Sequence, residues 1–380
     1  MIPYGRQEIS QADIDAVVEV LNSDWLTQGP AVPRFEAAVA ESCGAAHAVA
    51  VNSATSALHI ACLALGLGPG DRLWTSPVTF VASANCARYC GAEADFVDID
   101  PDTCNLSVVA LQAKLEQAER DGSLPKIVVP VHFGGLSCDM VAIHALSRRY
   151  GFRIIEDASH AIGGSYRDQP VGAGRYSDVT VFSFHPVKII TTGEGGMALT
   201  PHADIAERMR NLRSHGIVRS PASQAGQGAW YYEQTDLGFN YRLTDIQAAL
   251  GLSQLQRLQQ FVQARARLAA GYDALLSDLP LTRPGRLAGA ASAWHLYVIR
   301  LQEAASRRRV FDGLRAAGIG VNVHYIPVYH HPDYRRLGFD AGYCPNAEDY
   351  YARAITLPLY PALTDDQQQF VVSRLRELLS

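Results

Sequence analysis

Ser183-Phe184-His185-Pro186-Val187-Lys188-Ile189-Ile190-Thr191-Thr192-Gly193-Glu194-Gly195-Gly196 is an apolar, glycine-flanked run with one lysine inside it. Lysine is scarce in this chain: 3 of the 33 basic side chains are lysine and the other 30 are arginine. A guanidinium does not give up its proton and cannot form an imine. A lysine amine can, once it is desolvated. Lys114 lies in the helical run Leu111 to Glu116 and Lys126 stands at the mouth of a strand, so both read as ordinary solvated charges. Lys188 alone has a setting that points to chemistry.

Short β-rich runs flank this segment, Val179 to Phe184 before it and Gly196 to Thr200 after it. The same texture recurs upstream at His47 to Asn52, Arg72 to Thr75, Ala94 to Asp98, Lys126 to Val131 and Arg153 to Glu156. Helical patterns fill the intervals at Ser56 to Leu65, Phe80 to Tyr89, Ser107 to Arg120 and Met140 to Tyr150. This alternation predicts βαβ units and an α/β fold with a mostly parallel sheet. Most of the strands lack clean polar/apolar alternation, which suits a sheet covered on both faces. Beyond residue 215 the texture changes to the polar segment Ser220 to Gly228, followed by Gly238-Phe239-Asn240-Tyr241-Arg242. One long helix is expected from Thr244 to Ser277, with Thr244 as its N-cap. The Pro/Gly-rich stretch Pro280 to Ala291 reads as a linker, with a smaller α+β unit after it. The expected division falls near residue 250, with a large ligand-binding domain at 1–250, which includes the N-terminal segment, and a small C-terminal domain at 251–380.

Composition narrows the function. Hydrophobic residues at 48% and charged residues at 19% describe a soluble globular chain, and a net charge of -5 leaves no basic footprint for nucleic acid. The 7 cysteines are odd in number and lack Cys-x-x-Cys spacing, so they read as buried thiols in a reducing compartment. The first thirty or so residues hold no signal core, and no apolar run approaches the roughly 18 residues of a membrane span. A cytoplasmic enzyme without membrane or nucleic-acid partners is the expectation.

Three further segments supply candidate chemistry. Strand Ile154-Ile155 runs into Glu156-Asp157-Ala158-Ser159-His160, and an acid at the carboxyl end of a parallel strand faces the crevice where open α/β sheets bind ligands. There Asp157 can keep a heterocyclic ring nitrogen protonated, which makes the ring an electron sink. A lone Asp at a strand end more often caps a turn; its combination with Lys188 reverses that preference. His160 can hydrogen-bond a phenolic oxygen or stack on a ring. In Asn52-Ser53-Ala54-Thr55-Ser56 a strand ends and a helix begins, so free N–H groups converge on an anion site. Ser183 can add a hydroxyl, and Thr79-Phe80 sets an aromatic face near the same edge. Neither Gly-x-Gly-x-x-Gly after the first strand nor a Walker-type loop occurs, so a nicotinamide or ATP site lacks support.

These residues resemble the DegT/StrS group of pyridoxal-phosphate sugar aminotransferases, with the aspartate-aminotransferase-like fold (PLP fold type I). The likeness rests on the phosphate turn, the strand-end Asp with His three residues on, and Ser-Phe-His-Pro-x-Lys before Gly-Glu-Gly-Gly. It runs over almost the whole chain. It implies that Lys188 holds pyridoxal 5'-phosphate as a Schiff base and shuttles the proton, with Asp157 on the pyridine nitrogen and His160 beside it. Ala54, Thr55 and Ser183 then match phosphate contacts, Phe80 the aromatic on the ring face, and Asn240 an asparagine reaching the phosphate from the neighbouring subunit of a homodimer. Tyr4, the loop Trp25-Leu26-Thr27, and His324-Tyr325 match segments lining a sugar-nucleotide pocket. Ile2 to Gln7, Leu26 to Gly29, Asn52 to His59 and Glu156 to Ala161 resemble the branch that works in pseudaminic acid biosynthesis. That branch implies transfer of an amine from L-glutamate to C4 of a UDP-linked 4-keto-6-deoxy-N-acetylhexosamine. Family members that remove a hydroxyl carry histidine at the lysine position, so Lys188 implies transamination. Arg242, beside Asn240, is a candidate for glutamate's carboxylates.

Three other readings compete: amination at C3 or of another nucleotide keto-sugar, a cofactor-binding regulatory protein without turnover, and a metal hydrolase built from His324, His330, His331 and Asp333. The last lacks a His-x-x-x-His helix.

Overall fold

The computed structural model describes residues 1–219, 224 and 226–380, so the polar segment Ser220 to Gly228 lies partly outside the described residues. The first part of the chain forms α1 (Gln11–Leu21), α2 (Ala31–Cys43), β1 (His47–Val51), α3 (Ala54–Ala64), β2 (Arg72–Thr75), α4 (Ala82–Tyr89) and β3 (Glu93–Phe96). It continues through α5 (Val108–Asp121), β4 (Ile127–Val129), α6 (Met140–Tyr150), β5 (Arg153–Asp157), β6 (Val179–Ser183), β7 (Gly196–Thr200) and α7 (Ala203–Arg213). All seven expected strands form, and they share one sheet in the order β1-β7-β6-β5-β4-β2-β3.

Successive strand residues enter different cores, which is why the strands read as unbroken apolar runs. Leu73, Ile127, Val129, Ile155, Val179 and Val181 join one core with α3 and α4. Trp74, Val128 and Ile154 face α5 and α6 on the other side, where Phe182, Met197 and Leu199 pack with α2. Burying each large apolar side chain in this way contributes about 1.5–3 kcal/mol.

Only β7 runs antiparallel to its sheet neighbours, pairing with β1 on one side and β6 on the other. The remaining strands are parallel, so the carboxyl ends of β1, β2, β4, β5 and β6 share one edge. At that edge Val51, Gly196 and Ser183 lie side by side in register.

Downstream, the expected single helix is two: α8 (Asp245–Leu255) and α9 (Leu258–Leu275). Thr244 caps α8 as expected, in a capping box with Gln247. The break falls at Gln256-Arg257, whose N–H groups bond three residues back, to Ser253 and Gln254. The Arg257 guanidinium is drawn across to Glu8 at 3.0 Å and Asp13 at 2.6 Å. Apolar periodicity carries no trace of an arginine recruited by the N-terminal segment. α9 then spans two cores, with Leu258 and Phe261 packed beside α2 and Leu268 and Tyr272 in the core of the C-terminal unit. That unit holds β8 (Tyr297–Leu301), α10 (Arg307–Ala316), α11 (Pro345–Arg353), β9 (Ala354–Leu357) and α12 (Asp365–Leu379). Part of the expected linker is ordered into strands: Leu281–Thr282 pairs with β8, and Ala290–Ala291 with Ser165–Tyr166.

The N-terminal residues join the C-terminal unit through their main chain. Ile2 donates to Gly318 O at 2.9 Å, and Leu359 donates to Tyr4 O at 3.0 Å. Asp245, 1% exposed, anchors the Trp25–Pro30 loop. Its carboxylate accepts from the N–H groups of Gly29 at 2.8 Å and Ala31 at 2.7 Å. Replacing Asp245 with Ala removes charge-assisted bonds and leaves buried donors unpaired. Urea denaturation of Asp245→Ala is expected to show a loss of roughly 3 kcal/mol; a loss below about 0.5 kcal/mol would mean the loop has another anchor.

Candidate active site

The shared strand edge opens into a cavity of about 500 Å³. β1 ends at Val51, and Ser53 caps α3 by accepting from Ser56 N at 3.1 Å. Ser56 Oγ donates to Asn52 Oδ1 at 2.7 Å, so the turn is held by its own side chains. Ala54 and Thr55, the first two residues of α3, have N–H groups with no acceptor inside the helix. Gly196 presses directly on this turn: a Cβ there would stand 2.4 Å from Ala54 N. The result is a cradle of backbone donors at a helix N-terminus, with Ser183 beside it, suited to a phosphate.

Lys188 projects from the β6–β7 connection. The apolar residues that surround it in sequence root the loop, since Phe184, Ile189 and Ile190 are buried in the core. Main-chain bonds from Lys188 N to His185 O at 2.9 Å and from Thr192 N to Phe184 O at 3.0 Å fold it back on itself. Lys188 is half-buried, and it lines the cavity. Burial pulls its ammonium down to about 8, against the opposing pull of the Asp157 carboxylate. The other two lysines differ: Lys114 pairs with Asp95 at 2.8 Å and Lys126 with Asp71 at 2.9 Å. Lys188 has no ion pair among the described residues, which leaves its amine for a ligand.

Asp157, at the end of β5, is 5% exposed. One oxygen accepts from Ser83 Oγ at 2.6 Å and the other from Ser159 N at 3.1 Å. Thr79 lies 2.7 Å from the same Ser83 hydroxyl. These contacts hold a carboxylate in place at the cavity wall. Behind it, Glu156 forms a buried pair with His132 at 2.6 Å; against the opposing effect of burial, Cys138 and then Glu156 raise that imidazole to about 10, and His132 pulls the Glu156 carboxyl down.

His160 is buried and kept well below the ordinary histidine range, first by burial and then by Lys188 and His324. His324 is likewise brought down to about 4 by burial and by Lys188. Both rings are neutral near neutral pH. His160 Nδ1 accepts from Gly134 N at 3.3 Å, and its Nε2 lies 3.2 Å from Tyr325 Oη. His295 packs on the His160 ring at 4.4 Å.

The structure brings Tyr4, Ala54, Thr55, Phe80, Asp157, His160, Ser183, Lys188, His324 and Tyr325 to this one cavity. It does not bring Trp25, Leu26, Thr27 or Asn240 there; all four are exposed. Arg242 is also absent from the wall and bridges Val51 instead. Three wall or support residues escaped the sequence reading. Ser83 stands one helical turn after Thr79, a spacing that could have exposed it, whereas Glu194 was quoted only as part of the glycine motif. His295 comes from the C-terminal unit and had no local signal. The metal reading fails on geometry: His330 is 3.0 Å from Glu348, and Asp333 pairs with Arg88 and Arg336. Among the described residues there is no group of three or more metal-ligating side chains.

A backbone phosphate cradle, an unpaired desolvated lysine amine and a fixed carboxylate across one cavity fit pyridoxal 5'-phosphate. The profile of the DegT/DnrJ/EryC1/StrS aminotransferase family matches residues 7–376. Spore coat polysaccharide biosynthesis protein SpsC of Bacillus subtilis is 40% identical over 385 residues, covering 100% of this chain and 97% of that protein. Among solved structures, Helicobacter pylori PseC, an aminotransferase involved in the biosynthesis of pseudaminic acid, superposes with a TM-score of 0.92. It is 32% identical and covers 100% of this chain and 99% of its own. The PLP form of Spr1654 from Streptococcus pneumoniae gives a TM-score of 0.89 at 28% identity, with 100% of both chains covered. The chain belongs to the DegT/DnrJ/EryC1/StrS aminotransferase family and is a pyridoxal-phosphate-dependent sugar aminotransferase of the aspartate-aminotransferase-like fold.

Proposed function

We propose that this enzyme moves the amino group of L-glutamate to C4 of a UDP-linked 4-keto-6-deoxy-N-acetylhexosamine. The observation that carries the transfer chemistry is the unpaired amine of Lys188 in the cavity that Asp157 also lines. Support for the sugar is the structural likeness to PseC, together with a wall in which Tyr4 and His324 lie 5.4 Å apart. Bound pyridoxal phosphate supplies an aldehyde that takes up the amine and a ring that delocalises the electrons left when a proton departs.

The chain's own groups divide the remaining work. Lys188 Nζ is the covalent anchor, and when released it is the base that lifts a proton from the donor's α-carbon and later returns one to sugar C4. Asp157 holds the positive charge of the ring nitrogen. Ala54, Thr55 and Ser183 hold the phosphate, and Phe80, on the cavity rim, covers the ring. His160, neutral, serves as a hydrogen-bonding partner and not as a charge.

A homodimer with a shared site belongs to the same reading. Among the described residues no arginine lines the cavity of a single chain, although glutamate brings two carboxylates. Asn240 and the Trp25–Thr27 loop are exposed and away from their own cavity, as expected of groups that serve a partner's. Seven free, buried cysteines support a reducing, cytoplasmic setting, and no helix among the described residues is long and apolar enough to cross a membrane. Amination at C3 would use the same catalytic residues; NMR of the product distinguishes it.

Spectroscopy tests donor and acceptor together. The visible band of the holoenzyme should bleach with L-glutamate and return with the UDP-linked 4-keto sugar, and a band that glutamate leaves unchanged refutes the donor. Lys188→Ala should lose turnover by more than the ~10²- to 10⁴-fold of a lost acid/base group, because the anchor goes too; wild-type-like rates in that variant would overturn the assignment. For Asp157→Asn, weaker cofactor binding and a steep fall in kcat are expected, and unchanged kinetics would give the ring nitrogen another partner. Cofactor capture has a predictable pH dependence. Only the neutral amine reacts, so capture by the cofactor-free protein should rise about tenfold per pH unit below the Lys188 value and level off above it. Stopped-flow absorbance with the phosphate-bearing aldehyde measures this, and a plateau beginning only near the ordinary lysine range would show that Lys188 is not desolvated.

A further inference from the structure

We infer that the Gly134 amide sets the tautomer of His160 and thereby makes Tyr325 a hydrogen-bond donor to an oxygen of the bound ligand. A backbone N–H can only donate, so the Nδ1 atom that receives Gly134 N at 3.3 Å must be the unprotonated nitrogen. In a neutral ring the single proton then sits on Nε2. Nε2 lies 3.2 Å from Tyr325 Oη, so His160 donates and the tyrosine oxygen accepts. The tyrosine's own hydrogen must therefore point elsewhere. Tyr325 Oη has no protein acceptor among the described residues, and the residue lines the cavity. The hydroxyl is left aimed at whatever oxygen is bound there.

The surroundings keep this arrangement from reversing. Gly134 and Gly135 adopt positive φ of 64° and 104°, and a Cβ on Gly135 would stand 2.7 Å from Trp294 N. Two main-chain bonds, Ala293 N to Gly135 O at 3.0 Å and Leu296 N to Gly134 O at 3.2 Å, fasten the loop to the His295 segment. His295 then packs on one side of the His160 ring, while the Tyr325 ring is nearly parallel to it, at 18°. Burial, then Lys188 and His324, oppose a second proton on the imidazole, and burial together with Asp157 and Tyr4 keeps the phenol protonated. The acceptor is a phenolate or ketone oxygen, supplied either by the cofactor ring or by the keto sugar.

The identity of that acceptor rests on the aminotransferase reading; the tautomer does not, because it is measurable without cofactor or substrate. Nitrogen NMR of 15N-histidine-labelled enzyme, with His160 assigned by its absence in His160→Gln, should show protonated Nε2 and bare Nδ1 in the cofactor-free and holo forms. A signal from protonated Nδ1 overturns the inference, whatever the substrate proves to be. Tyr325→Phe keeps the ring and removes the donor, and about a 10²-fold loss in kcat/KM is expected. Should the acceptor be the cofactor's ring oxygen, the pH midpoint of the visible band shifts in this variant. A sugar ketone as acceptor leaves the midpoint in place and confines the loss to the sugar half-reaction, with the glutamate half-reaction unchanged. Less than about a threefold change in both half-reactions with an unmoved midpoint overturns the donor role.

Discussion

Everything in this site depends on an amine that is out of water but not neutralised. A carboxylate in direct contact would hold Lys188 charged and useless as a nucleophile; full burial without any carboxylate would weaken the electrostatic pairing the ring nitrogen needs. The structure resolves the conflict by occupying the carboxylate elsewhere. Asp157 is committed to Ser83 and to the Ser159 amide, so it acts on Lys188 through space and burial remains the larger influence. Burial first, and Lys188 second, likewise lower both His160 and His324.

The reversed strand β7 is what brings the phosphate cradle to the amine. Were β6 joined directly to β1, the lysine loop would have no return path along the same edge. With β7 between them, the loop leaves β6 at Ser183 and re-enters the sheet at Gly196, beside Val51. Close approach at that point requires glycine, because a side chain at 196 would fill the space of the Ala54 amide. The last glycine of the Gly-Glu-Gly-Gly sequence, Gly196, is thus a packing requirement of the phosphate turn.

Much of this was legible in the residues alone. The seven strands, the Ser53 turn and the Lys188–Asp157 pair all depend on local pattern or on motif spacing, and these survive in one dimension. What escaped was set by contacts between distant segments. The helix breaks at Arg257, whose guanidinium is held by Glu8 and Asp13 about 245 residues away in the chain. His295 enters the cavity because Gly134 and Gly135 permit its backbone to approach. The placement of Asn240 off its own cavity was implicit in a shared-site reading, whereas the Trp25-Leu26-Thr27 loop was expected to line the pocket and lies away from it.

One buried cation ties the C-terminal contribution to the rest. Arg265 is 1% exposed with no carboxylate partner among the described residues, and burial lowers its guanidinium to about 10, still well above neutrality. A buried charge of this kind is costly unless its donors are satisfied, and Arg265 satisfies them only in part, since its Nε has no hydrogen-bond partner among the described residues. Arg265 directs one nitrogen to the carbonyls of Trp294, His295 and Leu359, at 3.3, 3.2 and 2.9 Å. The first two belong to the segment that supports His160, and the Leu359 amide bonds Tyr4 at 3.0 Å. Arg265 on α9 thus ties the Trp294-His295 segment to Leu359, whose amide in turn holds Tyr4, so two wall residues from distant parts of the chain are joined through one buried side chain.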